Sequence, residues 1–391
     1  MDLFNLHRKI IITCHKWLAP ALEKEVTDLG FTPERVFQTG VELAGTLQDC
    51  IKLNLNLRCA SQVMFSLKMF ICNDPDELHK IVSTIHWEKI IARNGYFSVT
   101  SNVFHPTIQT NLFANLRVKD AIVDRMRFAN NIRPTTGSDL IGTVVYLYWK
   151  NEEAEIFIDT SGETLAKHNY RKLPGTAPML EALATATIIS TRWDKRSLFI
   201  NPMCGSGTLA IEAALIATNR APGLLRNNYA FKHILGFERE MYEKEKLVLS
   251  EKIQEPKELK IIASDISEKA IKIARINAEA AEVNHLIEFH ECDFEDTPIQ
   301  DGEGVVMFNP EYGERLGDEV ELNQTYARIG DFMKNNCKGK LGYVFTGNLD
   351  LAKSIRLKPS RRIEFLNAKI DCRLLEYELY AGTRRVDKTA P

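Results

Sequence analysis

From about residue 180 the chain keeps one rhythm, and that rhythm limits the fold more than any other feature. A long helix over 178–192 is followed by strand, glycine loop, helix, strand, helix, strand, loop, strand, helix and strand. Such alternation implies a parallel, doubly wound sheet with helices on both faces. The first strand, "SLFINP", runs directly into "MCGSGTLAIEAALIAT", whose apolar positions continue at helical spacing. Gly205 and Gly207 let the backbone turn tightly and approach a ligand with no Cβ in the way. The free amides of the helix that follows can receive a carboxylate or phosphate. No Lys follows the glycines, so this is not a Walker loop, and the three-glycine dinucleotide fingerprint is incomplete. Taken alone, the Gly-Ser-Gly run also reads as a plain tight turn.

Three further strands end in polar residues. "LKIIASDIS" ends at Asp265, placed to accept from ribose hydroxyls or to cap the helix of 267–282. "IEFHECDFED" ends at Asp293, placed to accept from an adenine amine or to shape a turn. "VVMFNPEYGERLG" (305–317) runs apolar for four residues and then breaks into Asn309, Pro310, Glu311, Tyr312 and Gly313. Open α/β sheets bind their ligands at these carboxyl ends.

Together, "NPMCGSGTLAIEAA", "SDIS", "CDFED" and "NPEYGERLG" resemble the successive motifs of class I S-adenosylmethionine-dependent methyltransferases. The last resembles the Asn-Pro-Pro-Tyr motif of enzymes that methylate exocyclic amines. "GVELAGTLQDCIKLNLNLRCASQVM", "RVKDAIVD", "DTSGETLAKHNYRKLPGTAPMLEALATA" and "APGLLRNNYAF" resemble one family more closely, the THUMP-containing methyltransferases that make N2-methylguanosine in large-subunit (23S) ribosomal RNA. The likeness runs from about residue 8 to 382. It implies an α+β N-terminal region, ferredoxin-like over 1–55 and an RNA-binding THUMP domain over 56–160. A linker (161–180), an α/β Rossmann-like methyltransferase domain (181–382) and a tail (383–391) complete the expected order. Some members carry a second methyltransferase after the first; none is expected in this chain.

The resemblance also implies roles. S-adenosylmethionine is the expected cofactor, its methionine end on Asn201, Pro202, Cys204, Gly205, Gly207 and Thr208, its ribose at Asp265 and Ile266, and its adenine at Asp293 and Phe294. Pro178 and Met179 are expected to cover its other side. The family's usual Asp is Asn201 here, which still accepts a hydrogen bond but lacks the charge that favours an ammonium group. A guanine N2 amine is a poor nucleophile because its lone pair is delocalised into the ring. The site therefore needs acceptors that draw on the amine hydrogens and aim the lone pair. Asn309 and the carbonyl of Pro310 can serve, with Tyr312 offering a π-face typically worth about 1–3 kcal/mol per stacked base. The base has to be flipped out of any helix to reach them. Glu311 stands where the family has a second proline. It faces Arg315 or solvent, it hydrogen-bonds guanine N1 and N2 hydrogens, or it weakens the site.

The formal charge of -2, from 50 basic and 52 acidic residues, leaves RNA contact to local patches. One patch gathers Arg117, Lys119, Arg125, Arg127 and Arg133 among Asp120 and Asp124. Another carries Lys353, Arg356, Lys358, Arg361 and Arg362 with no acid among them. A solvated face explains either run equally. Arg171 of "HNYR" reaches a phosphate or a domain-interface carboxylate. Ahead of residue 160, short strands (9–14, 35–45, 61–72, 96–104, 143–150, 154–162) alternate with helices (19–30, 46–60, 75–91, 111–130), each strand too short for a large parallel sheet. A length of 391 residues points to two or three domains. No signal peptide or membrane span is apparent, so the cytoplasm is the expected compartment. The eight scattered cysteines contain no Cys-x-x-Cys pair, so no metal and no disulfide framework is expected. Two other readings differ in substrate or class: a transfer-RNA guanine-N2 methyltransferase, and a non-catalytic RNA-binding or ribosome-assembly factor. An adenine-N6 DNA methyltransferase shares the Asn-Pro-x-Tyr logic and leaves the N-terminal region unexplained.

Overall fold

The computed structural model of the chain describes residues 3–106, 108, 110–175, 178–312 and 319–380. The chain divides into two compact units, Met1–His168 with Ala221–Lys252, and Asn169–Arg220 with Ile253–Pro391.

In the N-terminal unit, β1 (Arg8–Thr13) turns Ile10 and Ile12 into the core. α1 (Ala19–Asp28), β2 (Arg35–Phe37), β3 (Gly40–Gly45) and α2 (Leu47–Asn56) follow. α2 starts at Thr46 in a reciprocal capping box with Asp49. β4 (Gln62–Ile71) leads to α3 (Pro75–Val82), which opens on Asp74 as N-cap with a proline in the first turn. The helix expected over 75–91 stops at Val82 because the buried Trp87 donates its indole N–H to the Val82 carbonyl (2.9 Å) and folds the chain back. β5 (Tyr96–Phe104), α4 (Asn111–Asn130), β6 (Thr135–Thr136), β7 (Thr143–Lys150) and β8 (Glu153–Asp159) complete the unit's strands. They join in one eight-stranded sheet of order β2-β3-β1-β4-β8-β7-β5-β6. The sheet is large but not parallel: only β5 runs parallel to its neighbours β7 and β6. β4 is long enough to serve both parts, pairing with β1 over Gln62–Phe65 and with β8 along its length.

Arg125 on α4 donates to Glu88 through Nε (3.0 Å) and Nη2 (2.6 Å). The hydrogen bonds from Arg125 hold the Glu88 carboxyl down at about 2, so the pair stabilises the fold above the ordinary carboxylate range and is lost as pH falls through that value. Arg125→Ala is expected to cost about 1–3 kcal/mol at neutral pH. In denaturant unfolding of the whole chain, the gap to wild type should narrow as pH falls below the ordinary value of 4.5.

The second unit opens on α5 (Glu181–Ile189), β9 (Leu198–Pro202) and α6 (Thr208–Ala217). α5 starts three residues later than expected, because Leu180 is extended and the Met179 carbonyl accepts from Arg171 Nη2 (2.7 Å). Both helices are apolar on every side and buried almost throughout. Residues 221–252, with α7 (Arg239–Glu251), then belong to the N-terminal unit, where Arg226 donates to the carbonyls of Ser161 (2.9 Å) and Glu163 (2.7 Å). The second unit resumes with β10 (Ile261–Asp265), α8 (Glu268–Ala280), β11 (Ile287–Glu291), β12 (Gly304–Phe308), α9 (Glu319–Asn336), β13 (Leu341–Thr346), α10 (Leu349–Lys353), β14 (Arg361–Asn367) and β15 (Ile370–Glu378). The seven strands are ordered β11-β10-β9-β12-β13-β15-β14. β9 to β13 are parallel, as expected, whereas β15 runs antiparallel to β13 and forms a hairpin with β14. Ile200, Val306, Phe308 and Val344 from the sheet pack on Tyr326, Ile329, Phe332 and Met333 of α9. The strand order reverses between β9 and β12, and the carboxyl ends on either side of that switch point open a cleft.

Candidate active site at the carboxyl ends of the catalytic sheet

The cleft has a volume of about 960 Å³ and collects the ends of β9, β10, β11 and β12. The turn after β9 has positive φ at Met203 (55°), Gly205 (55°) and Gly207 (81°). A Cβ on Gly205 would meet nothing within 4 Å, so the backbone there faces open space; one on Gly207 would sit 2.9 Å from Ala274 Cβ on α8. Asp265 braces the turns on both sides: Oδ2 accepts from Gly205 N (2.9 Å) and Oδ1 from Ser267 N (3.0 Å). Ser267, not Asp265, is the N-cap of α8. A carboxylate keeps acceptor sites beyond these two bonds. Ile266 is exposed and lines the cleft. Burial and the neighbouring Asp265 push the Cys204 thiol well up, so it is protonated and unreactive.

Across the cleft, Asp293 accepts from Glu295 N (3.0 Å) and Arg328 Nη2 (2.8 Å). Burial opposes ionisation of Asp293, but these bonds outweigh it and hold the carboxyl below its usual range. Arg328 also lies over the Phe294 ring (4.7 Å) and pairs with Glu295. It fixes both residues expected at an adenine, and the motif reading had not included it.

Asn201 at the end of β9 donates its Nδ2 to the Met307 carbonyl of β12 (2.9 Å), leaving its buried Oδ1 without a partner. Asn309, just past β12, likewise has a buried Oδ1 with no partner among the described residues. Buried acceptors are normally satisfied. Two unmet acceptors lining one cleft therefore fit bound donors, and an ammonium group and an exocyclic amine are such donors. Pro310 is buried and Glu311 exposed beside them. Arg315 lies outside the described residues. Burial raises the Tyr312 phenol, so it stays protonated, and its oxygen accepts from Asn367 Nδ2 (2.8 Å) on the β14–β15 hairpin. Phe345 meets the Tyr312 ring edge-on, with centroids 6.2 Å apart.

Gly347 is a further residue that the motifs did not single out. A Cβ there would lie 2.6 Å from Ile370 Cγ2 and 2.8 Å from Tyr312 Cδ2. Gly347→Ala is expected to displace the tyrosine ring, and a ligand that stacks on that ring should bind roughly tenfold or more weakly, the scale of one lost stacking contact. Cofactor affinity, measured separately by calorimetry, should stay unchanged.

Pro178 and Met179 line the cleft, held by Arg171, which donates to Glu181 (3.0 Å), the Met179 carbonyl (2.7 Å) and Ser206 Oγ (3.2 Å). Arg171 thus takes a carboxylate inside the catalytic unit. Asn277 ties the same segment to the glycine turn, donating to the carbonyls of Leu173 (3.0 Å) and Ser206 (3.2 Å). Pro202 and Thr208 are buried at either side of that turn. Of the basic residues, Arg117 pairs with Asp76, Arg125 with Glu88 and Arg361 with Glu376. Lys119 and Arg127 make long contacts with Asp120 (3.8 Å) and Asp124 (4.0 Å). Arg133, Lys358 and Arg362 are exposed with no charged partner among the described residues. Among the described residues no His, Cys, Asp or Glu group could hold a metal, and no helix is long and apolar enough to cross a membrane.

Comparison with known proteins agrees with this architecture. Residues 9–64 match the RlmL ferredoxin-like domain, 72–159 the THUMP domain and 168–376 the RMKL-like methyltransferase domain. A curated relative from Syntrophotalea carbinolica, "Ribosomal RNA large subunit methyltransferase K/L", is 33% identical over 95% of this chain and 53% of its own length. The chain thus spans about half the length of the curated relatives it matches. A solved structure of a possible methylase from Clostridium difficile 630 is 27% identical with a TM-score of 0.86, covering 97% of this chain and 100% of that one. A predicted N6-adenine-specific DNA methylase from Listeria monocytogenes is 28% identical with a TM-score of 0.85, covering 96% and 97%. With a methyltransferase sheet, a glycine turn and a family match across more than half its residues, the chain belongs to the RMKL-like methyltransferase domain family.

Proposed function

We propose that this chain methylates the exocyclic N2 amine of a guanosine in large-subunit ribosomal RNA, using S-adenosylmethionine. The observation that carries the reading is the pair of unmet buried acceptors, Asn201 Oδ1 and Asn309 Oδ1, in one cleft. The first suits the ammonium end of the cofactor; the second suits the amine to be methylated. When bound, S-adenosylmethionine supplies a methyl carbon on a sulfonium: the amine lone pair forms the N–C bond as the C–S bond breaks toward sulfur, and the amine proton leaves to water.

The chain's own part is placement. Gly205 and Gly207 bring backbone amides to the methionine carboxylate, Asp265 and Ile266 receive the ribose, and Asp293 with Phe294 receives the adenine. Asn309 Oδ1 and the Pro310 carbonyl accept from the amine, and Tyr312, held through Asn367, stacks on the extruded base. Among the basic residues of the two runs, Arg133, Arg356, Lys358 and Arg362 have no charged partner among the described residues and are free to meet phosphate, whereas Arg117, Arg125 and Arg361 hold protein carboxylates. A ribosomal substrate is favoured by the relatives' printed names, and RNA over DNA by the THUMP match. The proposed compartment is the cytoplasm.

Transfer of labelled methyl to protein-free, under-modified large-subunit RNA is expected to exceed transfer to bulk transfer RNA. The reverse preference would move the substrate to transfer RNA. Failure to bind S-adenosylmethionine would leave a non-catalytic RNA-binding role.

A further inference from the structure

We propose that Glu311 reads the Watson–Crick edge of the target base and restricts the amine site to guanine; this rests on the amine-methylation reading above. Asn309 Oδ1 is an unpaired buried acceptor, and the next side chain with a polar group, Glu311, is exposed, lines the same cleft and has no hydrogen-bond or ion-pair partner among the described residues. The arginine that lines the cleft, Arg328, is already occupied by Asp293 and Glu295. With the Pro310 carbonyl between them, Asn309 and Glu311 give the amine end of the cleft a row of acceptors. Tyr312, with its hydroxyl held by Asn367, limits how a stacked base can rotate against that row.

The row discriminates among bases by elementary hydrogen-bond chemistry. Guanine presents donors side by side, N1–H and the N2 amine. Adenine and cytosine each present an amine beside a ring-nitrogen lone pair, which would face the carboxylate. A site built to hydrogen-bond a donor rejects an analogue that lacks it more strongly than an apolar site can, because a lone pair facing the carboxylate loses that bond and adds repulsion. A proline at position 311 supplies no side-chain acceptor, so any selection of guanine with proline there rests on the other groups of the cleft.

The test uses 2-aminopurine, which keeps the 2-amine of guanine but carries a lone pair at N1. At the nucleotide where the wild-type chain deposits its methyl group, synthetic fragments of the substrate RNA carry guanine or 2-aminopurine. kcat/KM and cofactor affinity are measured for wild type, Glu311→Gln and Glu311→Pro. Wild type is expected to prefer guanine by about 100-fold or more. Glu311→Pro should bring the two substrates within about tenfold, with cofactor affinity unchanged. Glu311→Gln, whose amide can also donate, should use 2-aminopurine better than wild type does. A guanine preference that survives both substitutions overturns the reader role and leaves amine methylation standing. A loss of cofactor affinity with the preference intact also overturns it, assigning the carboxylate to the sulfonium charge. No guanine methylation by wild type on any RNA removes the underlying reading itself.

Discussion

Asn309→Ala is expected to slow methyl transfer by about 10²–10³-fold, the usual scale for removing one preorganised hydrogen-bonding group from a reacting centre. The effect should fall on kcat and kcat/KM together, because the acceptor matters most as the amine loses its hydrogens' hold on the lone pair. Asn309 lies just beyond β12, and its Oδ1 has no hydrogen-bond partner among the described residues, so truncation removes no bond to them from that oxygen. Cofactor affinity and unfolding temperature should therefore stay near wild type. Single-turnover methylation with saturating cofactor, alongside calorimetric titration, checks both halves. A variant that loses cofactor affinity instead would put Asn309 in the wrong half of the cleft.

The second large effect is expected at the glycine turn. Gly207→Ala places a side chain at φ 81° and a Cβ 2.9 Å from Ala274 Cβ, where both atoms belong to packed backbone elements. Left-handed strain and overpacking each cost about 1–3 kcal/mol, so cofactor binding should weaken roughly 100-fold and the unit should also unfold earlier. Gly205→Ala separates the two causes. Gly205, at φ 55°, carries the same left-handed strain, but its Cβ would enter open cleft, so affinity should fall with a smaller thermal loss than in Gly207→Ala. Equal thermal losses in both variants would argue that the turn serves the fold and not a ligand.

The parts of this site that could be read in the sequence are those that lie at strand ends. Asn201, Asp265 and Asn309 each follow an apolar run and Asp293 an alternating one, and a parallel sheet brings such ends together whatever the loops do. The residues that hold them could not be read this way, because their partners are remote. Arg328 meets Asp293 across 35 positions, Asn277 meets Leu173 across 104, and Asn367 meets Tyr312 across 55. No periodicity links such pairs; only the closed sheet does. The β14–β15 hairpin was hidden for a different reason. β14 begins with Arg361 and Arg362 and buries only Phe365, so its composition reads as a charged surface run. The single eight-stranded N-terminal sheet was hidden too, since the length of β4 shows strand propensity but not that β1 and β8 flank it. Likewise, nothing local in 221–252 announces that it packs with the N-terminal unit.

The charges of the proposed RNA patches follow the same logic. A run rich in Arg looks like a polyanion surface until its carboxylates are found elsewhere in the fold, as Glu88 is for Arg125 and Glu376 for Arg361. Of the ten basic residues singled out, Arg133, Arg356, Lys358 and Arg362, exposed and without a charged partner among the described residues, are the better candidates for phosphate contact.

The most direct measurement is the identity of the methylated nucleoside. The whole chain is incubated with under-modified large-subunit ribosomal RNA and labelled S-adenosylmethionine, and the RNA is digested to nucleosides for chromatography and mass spectrometry. The account predicts the label in N2-methylguanosine. Label in N6-methyladenosine, or no label in any nucleoside although the cofactor binds, would contradict it.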